Sequence, residues 1–250
     1  MPTATAELEL KTEAILGEGA IWNHETRELY WVDIEGQKLH IYDPEKKHNR
    51  TFELPSRIGT VVPTKDGQAL IGLEDGVYKM NVNTGALEIF AAIEADRPGN
   101  RLNDGKCDPA GRLWIGSMSL QETDGAGTLY RVDPDGSVTP MIRNVTISNG
   151  IVWTSDKRTM YYIDTATNQV KAYDFDLASG TISNERTAVS IDESEGHPDG
   201  MTIDAEDMIW VALWKGSAVV RYNPKTGEVL IARITKCTNK YKKVDFPQNA

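Results

Sequence analysis

The sequence predicts an all-β fold of the propeller type, and three observations carry that prediction. A strand-like block recurs five times, each copy sits inside a three-strand meander, and no segment shows a sustained apolar stripe of helical period. The blocks are RELYWVDI at 27–34, QALIGLED at 68–75, GRLWIGSM at 111–118, RTMYYIDT at 158–165 and EDMIWVAL at 206–213. Trp31, Ile71, Trp114, Tyr161 and Trp210 are equivalent positions in them. Their spacing of about 40 to 49 residues is that of a four-stranded propeller blade.

Each element of the unit follows from local chemistry. A hydrophobic strand and a polar turn precede the block, as in AIWNHETR, VVPTKDGQ, GIVWTSDK and GMTIDAED, where Asn, Asp, Gly and Ser supply turn geometry. That is a β-hairpin. A third strand and another turn follow, in KLHIYDPE, GVYKMNVNTG, TLYRVDPDG, QVKAYDFDLASG and AVVRYNPKTG, which makes a meander. The tryptophans are read as packing between blades rather than as ligand-stacking surfaces.

Composition bounds the function. With 250 residues, 40% hydrophobic and 26% charged, one large domain is expected. No apolar run is long enough for a membrane span, and the N-terminus lacks a basic stretch followed by an apolar core, so a cytoplasmic location is expected. Cys107 and Cys237 are read as free thiols. A formal charge of −10 disfavours nucleic acid, whose binding draws on phosphate neutralisation, and is compatible with a cation.

Polar residues cluster just before each predicted inner strand, where a propeller's repeats converge on its axis. The chain has LGEGAIW with Glu18, GNRLNDGKCD with Arg101, Asn103 and Asp104, ISNGIVW with Asn149, and HPDGMTID with His197 and Asp199. Each places a carboxylate or amide beside glycine, and each is read as a tight turn aiming its side chain into the channel mouth. One Asn-Gly or Asp-Gly pair is ordinarily structural. Four at matching repeat positions, Glu18, Asn103, Asn149 and Asp199, point to a shared site of hard oxygen donors for one divalent cation.

Taken together, LGEGAIWN, ELYWVDIEG, RLNDGKCDPAGRLWIG, SNGIVWTSDKRTMYYIDT and EGHPDGMTID resemble the gluconolactonase and regucalcin (senescence marker protein) family over about residues 12 to 230. The resemblance implies a six-bladed propeller. It implies one divalent metal held by Glu18, Asn149 and Asp199, with calcium in first place and zinc, manganese or magnesium as alternatives. Arg101 and Asn103 then contact substrate, with Asn103 within reach of the metal. The implied activity is opening of a sugar-derived lactone, a small-molecule substrate, with the cation polarising the carbonyl and Asp199 activating water. Arg101 and Asn103 would supply directional hydrogen bonds. His197 is read as a turn residue in preference to a base. The stretch SLQETDGAG at 119–127 follows an inner hairpin and is a candidate lid, with a plain surface loop as the alternative.

The end of the chain departs from the repeat. After GEVLIARI it runs ITKCTNKYKKVDFPQNA without a further Gly-rich turn or LYWVD-like strand, so the last blade is expected to be incomplete. A propeller domain is assigned to 1–230 and an atypical basic tail to 231–250, with Arg233, Lys236, Lys240, Lys242 and Lys243 against Asp245. If that tail and the N-terminal AELEL strand only partly replace the last blade, an exposed strand edge invites self-association. Two rival functions are kept: a non-catalytic calcium-binding regulatory propeller, and an interaction platform with no ion at the axis.

Overall fold

Alternating apolar residues bounded by Asn, Asp and Gly turns become antiparallel strands throughout the computed structural model, which describes residues 8–234. Twenty strands form five four-stranded sheets, each meandering outward in chain order. Blade 1 holds β1 (Gly17–Asn23), β2 (Glu28–Asp33), β3 (Lys38–Asp43) and β4 (His48–Glu53). Blade 2 holds β5 (Thr60–Pro63), β6 (Ala69–Leu73), β7 (Gly76–Met80) and β8 (Leu87–Ala92). Blade 3 holds β9 (Asn100–Cys107), β10 (Leu113–Ser119), β11 (Gly127–Val132) and β12 (Val138–Val145). Blade 4 holds β13 (Ser148–Trp153), β14 (Thr159–Asp164), β15 (Gln169–Asp176) and β16 (Thr181–Ser190). Blade 5 holds β17 (His197–Ile203), β18 (Ile209–Trp214), β19 (Ala218–Tyr222) and β20 (Val229–Ile234).

The expectation of six blades with an incomplete last one is corrected: the described residues make five blades, and the fifth has all four strands. The physical reason is the period: at 40 to 49 residues per unit, Gly17–Ile234 is filled by five units. VLIARI, read as the approach to an irregular end, pairs with β19 as the outer strand of blade 5, so the 230/231 boundary falls inside β20. The expected basic tail otherwise lies outside the described residues from 235 onward. Of the AELEL segment, Leu8–Leu10 carry no strand and residues 6 and 7 lie outside the described residues.

The core is a series of seams between consecutive blades. Val32, Ile41 and Tyr30 of blade 1 pack on Ile71 and Met80 of blade 2, and Val77 of blade 2 on Ile115 of blade 3. Trp114 of blade 3 meets Trp153 and Phe175 of blade 4 edge-on, with centroids 5.9 and 6.2 Å away, and Tyr161 and Val170 of blade 4 pack with Val211 of blade 5. Each buried aliphatic side chain contributes about 1.5–3 kcal/mol. Among the described residues no apolar cluster joins blade 5 to blade 1, and Trp214 of blade 5 and Trp22 of blade 1 are partly exposed. The segment before β1 lies along blade 1: Asp33 Oδ1 accepts from the Leu16 backbone N–H at 2.9 Å, and the Tyr42 hydroxyl donates to Glu9 at 2.8 Å.

A hairpin clamp recurs where Asp precedes Trp by six positions. Asp108 accepts from the Trp114 indole at 3.1 Å and from Arg112 Nε at 2.6 Å, all three residues being buried. Asp204 repeats the pattern with the Trp210 indole at 2.9 Å and Arg221 Nε at 2.7 Å. Cys107 is a free thiol, raised to about 11 by burial and by Asp108; Cys237 lies outside the described residues. Among the described residues no helix is long and apolar enough to cross a membrane.

Candidate functional site at the propeller axis

The polar motifs do not form turns, as their Asn-Gly and Asp-Gly spelling suggests. They are bulges within the inner strands. In β9, Ile115 pairs with Gly105 and Ser117 with Leu102, so Asn103 and Asp104 together oppose Gly116. In β13, Asn149 and Gly150 oppose Ile163, and in β17, Asp199 and Gly200 oppose Ala212. In β1 the extra residue comes just after Glu18, where Gly19 and Ala20 oppose Trp31 and Gly19 takes φ 61. A bulge adds a residue, bends the strand and resets the alternation of side chains. Arg101, Asn103, Asp104 and Lys106 thus all escape the apolar face that takes Leu102.

Close approach of the inner strands brings the bulges together. A Cβ on Gly150 would stand 2.5 Å from Met201 Cβ and 2.6 Å from Met201 N, so only glycine lets β13 lie this near β17. Asn103 Nδ2 donates to the Ser148 carbonyl at 2.7 Å, and its Oδ1 accepts from Arg101 at 2.6 Å, which orients the amide and the guanidinium together. The Thr165 hydroxyl donates to the Pro198 carbonyl at 2.7 Å and so receives its own bond from Asn149 Nδ2, at 2.9 Å. That chain sets the Asn149 amide with nitrogen toward Thr165 and leaves Oδ1 as an acceptor on the other side.

Electrostatics tie the group together. Burial, helped by Asp199 and then Asp104 against the pull of Arg101, pushes the Glu18 carboxyl up to about 8. Burial and Asp104 push Asp199 up to about 6, opposed by hydrogen bonds from the Gly200 N–H and Asn149 and by Arg101. Asp104 is raised by burial and drawn back by Lys106; the Lys106 ammonium is disfavoured by burial and supported by Asp104. Burial likewise opposes the charge on Arg101, and Glu18 supports it. Three carboxylates therefore share a protein-walled space with two cations, a surplus of negative charge that a bound cation would relieve.

Glu18, Arg101, Asn103, Asn149 and Asp199 converge in this way. His197 does not join them: its Nδ1 lies 2.9 Å from Asn168 Oδ1 and its ring tilts against Trp214 at 5.7 Å. The 119–127 stretch is an anchored turn, with Leu120 N–H donating to Gly99 O at 2.9 Å and Gly125 N–H to Thr146 at 3.1 Å. Sequence reasoning missed Lys106 and Thr165. Lys106 carries a signal once the bulge is known, because it then shares the side of β9 that Asp104 occupies. Thr165 carries none, since its role depends on a contact from blade 4 to blade 5. Among the described residues no three His, Cys, Asp or Glu side chains form a metal-ligating group; the donor set here is two carboxylates with an amide.

Comparison with known proteins agrees with this architecture. Residues 16–241 match the SMP-30/Gluconolactonase/LRE-like region. A putative sugar lactone lactonase, YvrE of Bacillus subtilis, is 41% identical over 219 residues, 88% of this chain and 75% of that one. Regucalcin of Xenopus laevis is 38% identical, covering 85% of this chain and 73% of its own. Among solved structures, a calcium-binding protein, regucalcin of Agrobacterium tumefaciens, superposes with a TM-score of 0.86 at 31% identity, over 90% of this chain and 76% of that one. With its repeats, its bulged inner strands and this breadth of similarity, the chain belongs to the SMP-30/gluconolactonase/LRE-like family.

Proposed function

We propose that the chain is a metal-dependent lactonase acting on sugar-derived lactones, with Glu18, Asn149 and Asp199 holding one divalent cation. The observation that carries this reading is the convergence of two carboxylates and a fixed amide from three different blades, each at or beside a bulge of its inner strand. The donors fit a hard cation. Their oxygens suit calcium first, and manganese, magnesium or zinc as alternatives. When bound, the cation polarises the lactone carbonyl and stabilises the developing oxyanion.

The chain's own residues supply the rest. Asp199 accepts the proton of the attacking water, and the Gly200 N–H, Asn149 and Arg101 favour its ionised form at neutral pH. Arg101, oriented by Asn103, presents guanidinium N–H groups to sugar hydroxyls and fixes the ring relative to Asp199. The names of the lactonase relatives support hydrolysis and those of the regucalcins support calcium.

The test is gluconolactone hydrolysis followed by proton release after metal stripping, then with calcium, manganese, zinc or magnesium restored to separate aliquots. Turnover that returns with metal supports the lactonase. Ion binding without turnover across a lactone panel transfers the site to a calcium-binding regulator.

A further inference from the structure

Lys106 stands outside the constellation just assigned, yet its side chain joins two blades that are not consecutive in the chain. It lies on β9 of blade 3, three residues after Asn103, and its Nζ donates to the Met201 carbonyl of blade 5 at 3.1 Å, passing blade 4. Met201 is the first paired residue after the Asp199–Gly200 bulge, where it faces Val211. A bulge is the weak point of a strand, because its extra residue makes no regular ladder bond. One end of this bulge is held by Thr165, which donates to the Pro198 carbonyl at 2.7 Å; Lys106 holds the other. Asp199 is thus suspended between two side-chain bonds, one from blade 4 and one from blade 3.

The blade 3 bond matters more than its length suggests. Blade 5 packs on blade 4, and among the described residues no apolar core joins it to blade 1. A blade supported on one face can pivot about that face, and a displacement of about 1 Å at a catalytic group is costly. A bond from across the axis opposes such a pivot. An ammonium suits the task because its donors are strong and its stem spans the channel, with Asp104 beside it to balance the charge.

We propose that Lys106 is a positioning residue that clamps the Asp199 bulge of blade 5 from blade 3 and so sets the place of Asp199. The consequence for turnover rests on the lactonase reading; the clamp itself does not.

The experiment uses the full chain as wild type, Lys106→Met, Lys106→Arg and the double variant Lys106→Met/Asp104→Asn. Hydrogen–deuterium exchange of the 197–203 segment is the readout independent of activity. Lys106→Met should exchange faster there, with 60–63 of blade 2 unchanged; equal exchange in β17, or a uniform rise across all blades, overturns the clamp. With gluconolactone and restored metal, kcat should fall about 10- to 100-fold while KM changes less, the scale for removing a group that orients a site residue. Lys106→Arg should recover part of both signals. If the double variant regains wild-type exchange and kcat, Lys106 serves only as counter-charge to Asp104 and the clamp is wrong. Absence of turnover in wild type defeats the lactonase reading while the exchange result still decides the clamp.

Discussion

Blade 2 and blades 1, 3, 4 and 5 share one strand plan but differ at the axis. In blade 2, β5 pairs with β6 in unbroken register from Thr60 to Pro63 and offers no carboxylate or amide; its Thr60 hydroxyl donates to the Gly105 carbonyl at 3.0 Å. In the other four the register slips at, or just after, the residue that reaches the axis. A regular strand sends alternate residues to its two faces and keeps its backbone paired. A bulge sacrifices one rung to aim a polar side chain where the pleat would not put it. Blade 2 therefore buttresses blade 3, and the bulged strands carry the chemistry.

The strongest test of that division is Asp199→Asn, which keeps the shape of the bulge and removes the base. Lactone turnover should fall about 10²- to 10⁴-fold by proton-release assay, and near-wild-type turnover would remove Asp199 from that role. Next comes the donor set. Asn149→Leu should weaken divalent-ion binding about 10- to 100-fold by calorimetry, whereas Thr60→Val in blade 2 should leave it unchanged. Equal losses at both positions would dissolve the comparison.

A pH experiment reads the same contrast. Glu18 and Asp199 bind protons more tightly in the folded, metal-free protein than in the unfolded chain. The folded state thus holds more protons between the ordinary carboxylate pKa and the raised values, and stability must fall as pH rises across that window. The Glu18 contribution is fully present below 4.5 and lost as pH climbs through about 8. Metal-free wild type should therefore show a declining Tm from pH 5 to 8.5, calcium should reverse the decline, and Glu18→Gln should flatten it. A metal-free Tm that rises steadily over this range would contradict the placement of these carboxylates.

The smaller effects concern packing. Gly150→Ala places a Cβ 2.6 Å from the Met201 backbone nitrogen and should cost about 1–3 kcal/mol, read as a lower denaturant midpoint. Gly200→Ala has nothing within 4 Å of its new Cβ and should shift that midpoint by much less. Thr60→Val should cost about 1 kcal/mol for its lost hydrogen bond, with the ion affinity intact.

The sequence by itself determined the repeat, the order of strands within each unit and the polar residues at or beside the inner-strand bulges. Period-two alternation with polar turns is local chemistry, legible in RELYWVDI and its four counterparts. The matching positions of Glu18, Asn103, Asn149 and Asp199 were likewise legible, although their Asn-Gly and Asp-Gly spelling pointed to turns; the same residues serve turns and bulges, and only pairing to a partner strand separates the two. Family resemblance led to a sixth blade that the described residues do not contain. The bonds of Lys106 to the Met201 carbonyl and of Thr165 to the Pro198 carbonyl belong to tertiary structure alone. They join residues 95 and 33 positions apart, and such contacts exist only once blades stack around an axis and bulges have chosen which side chains face it.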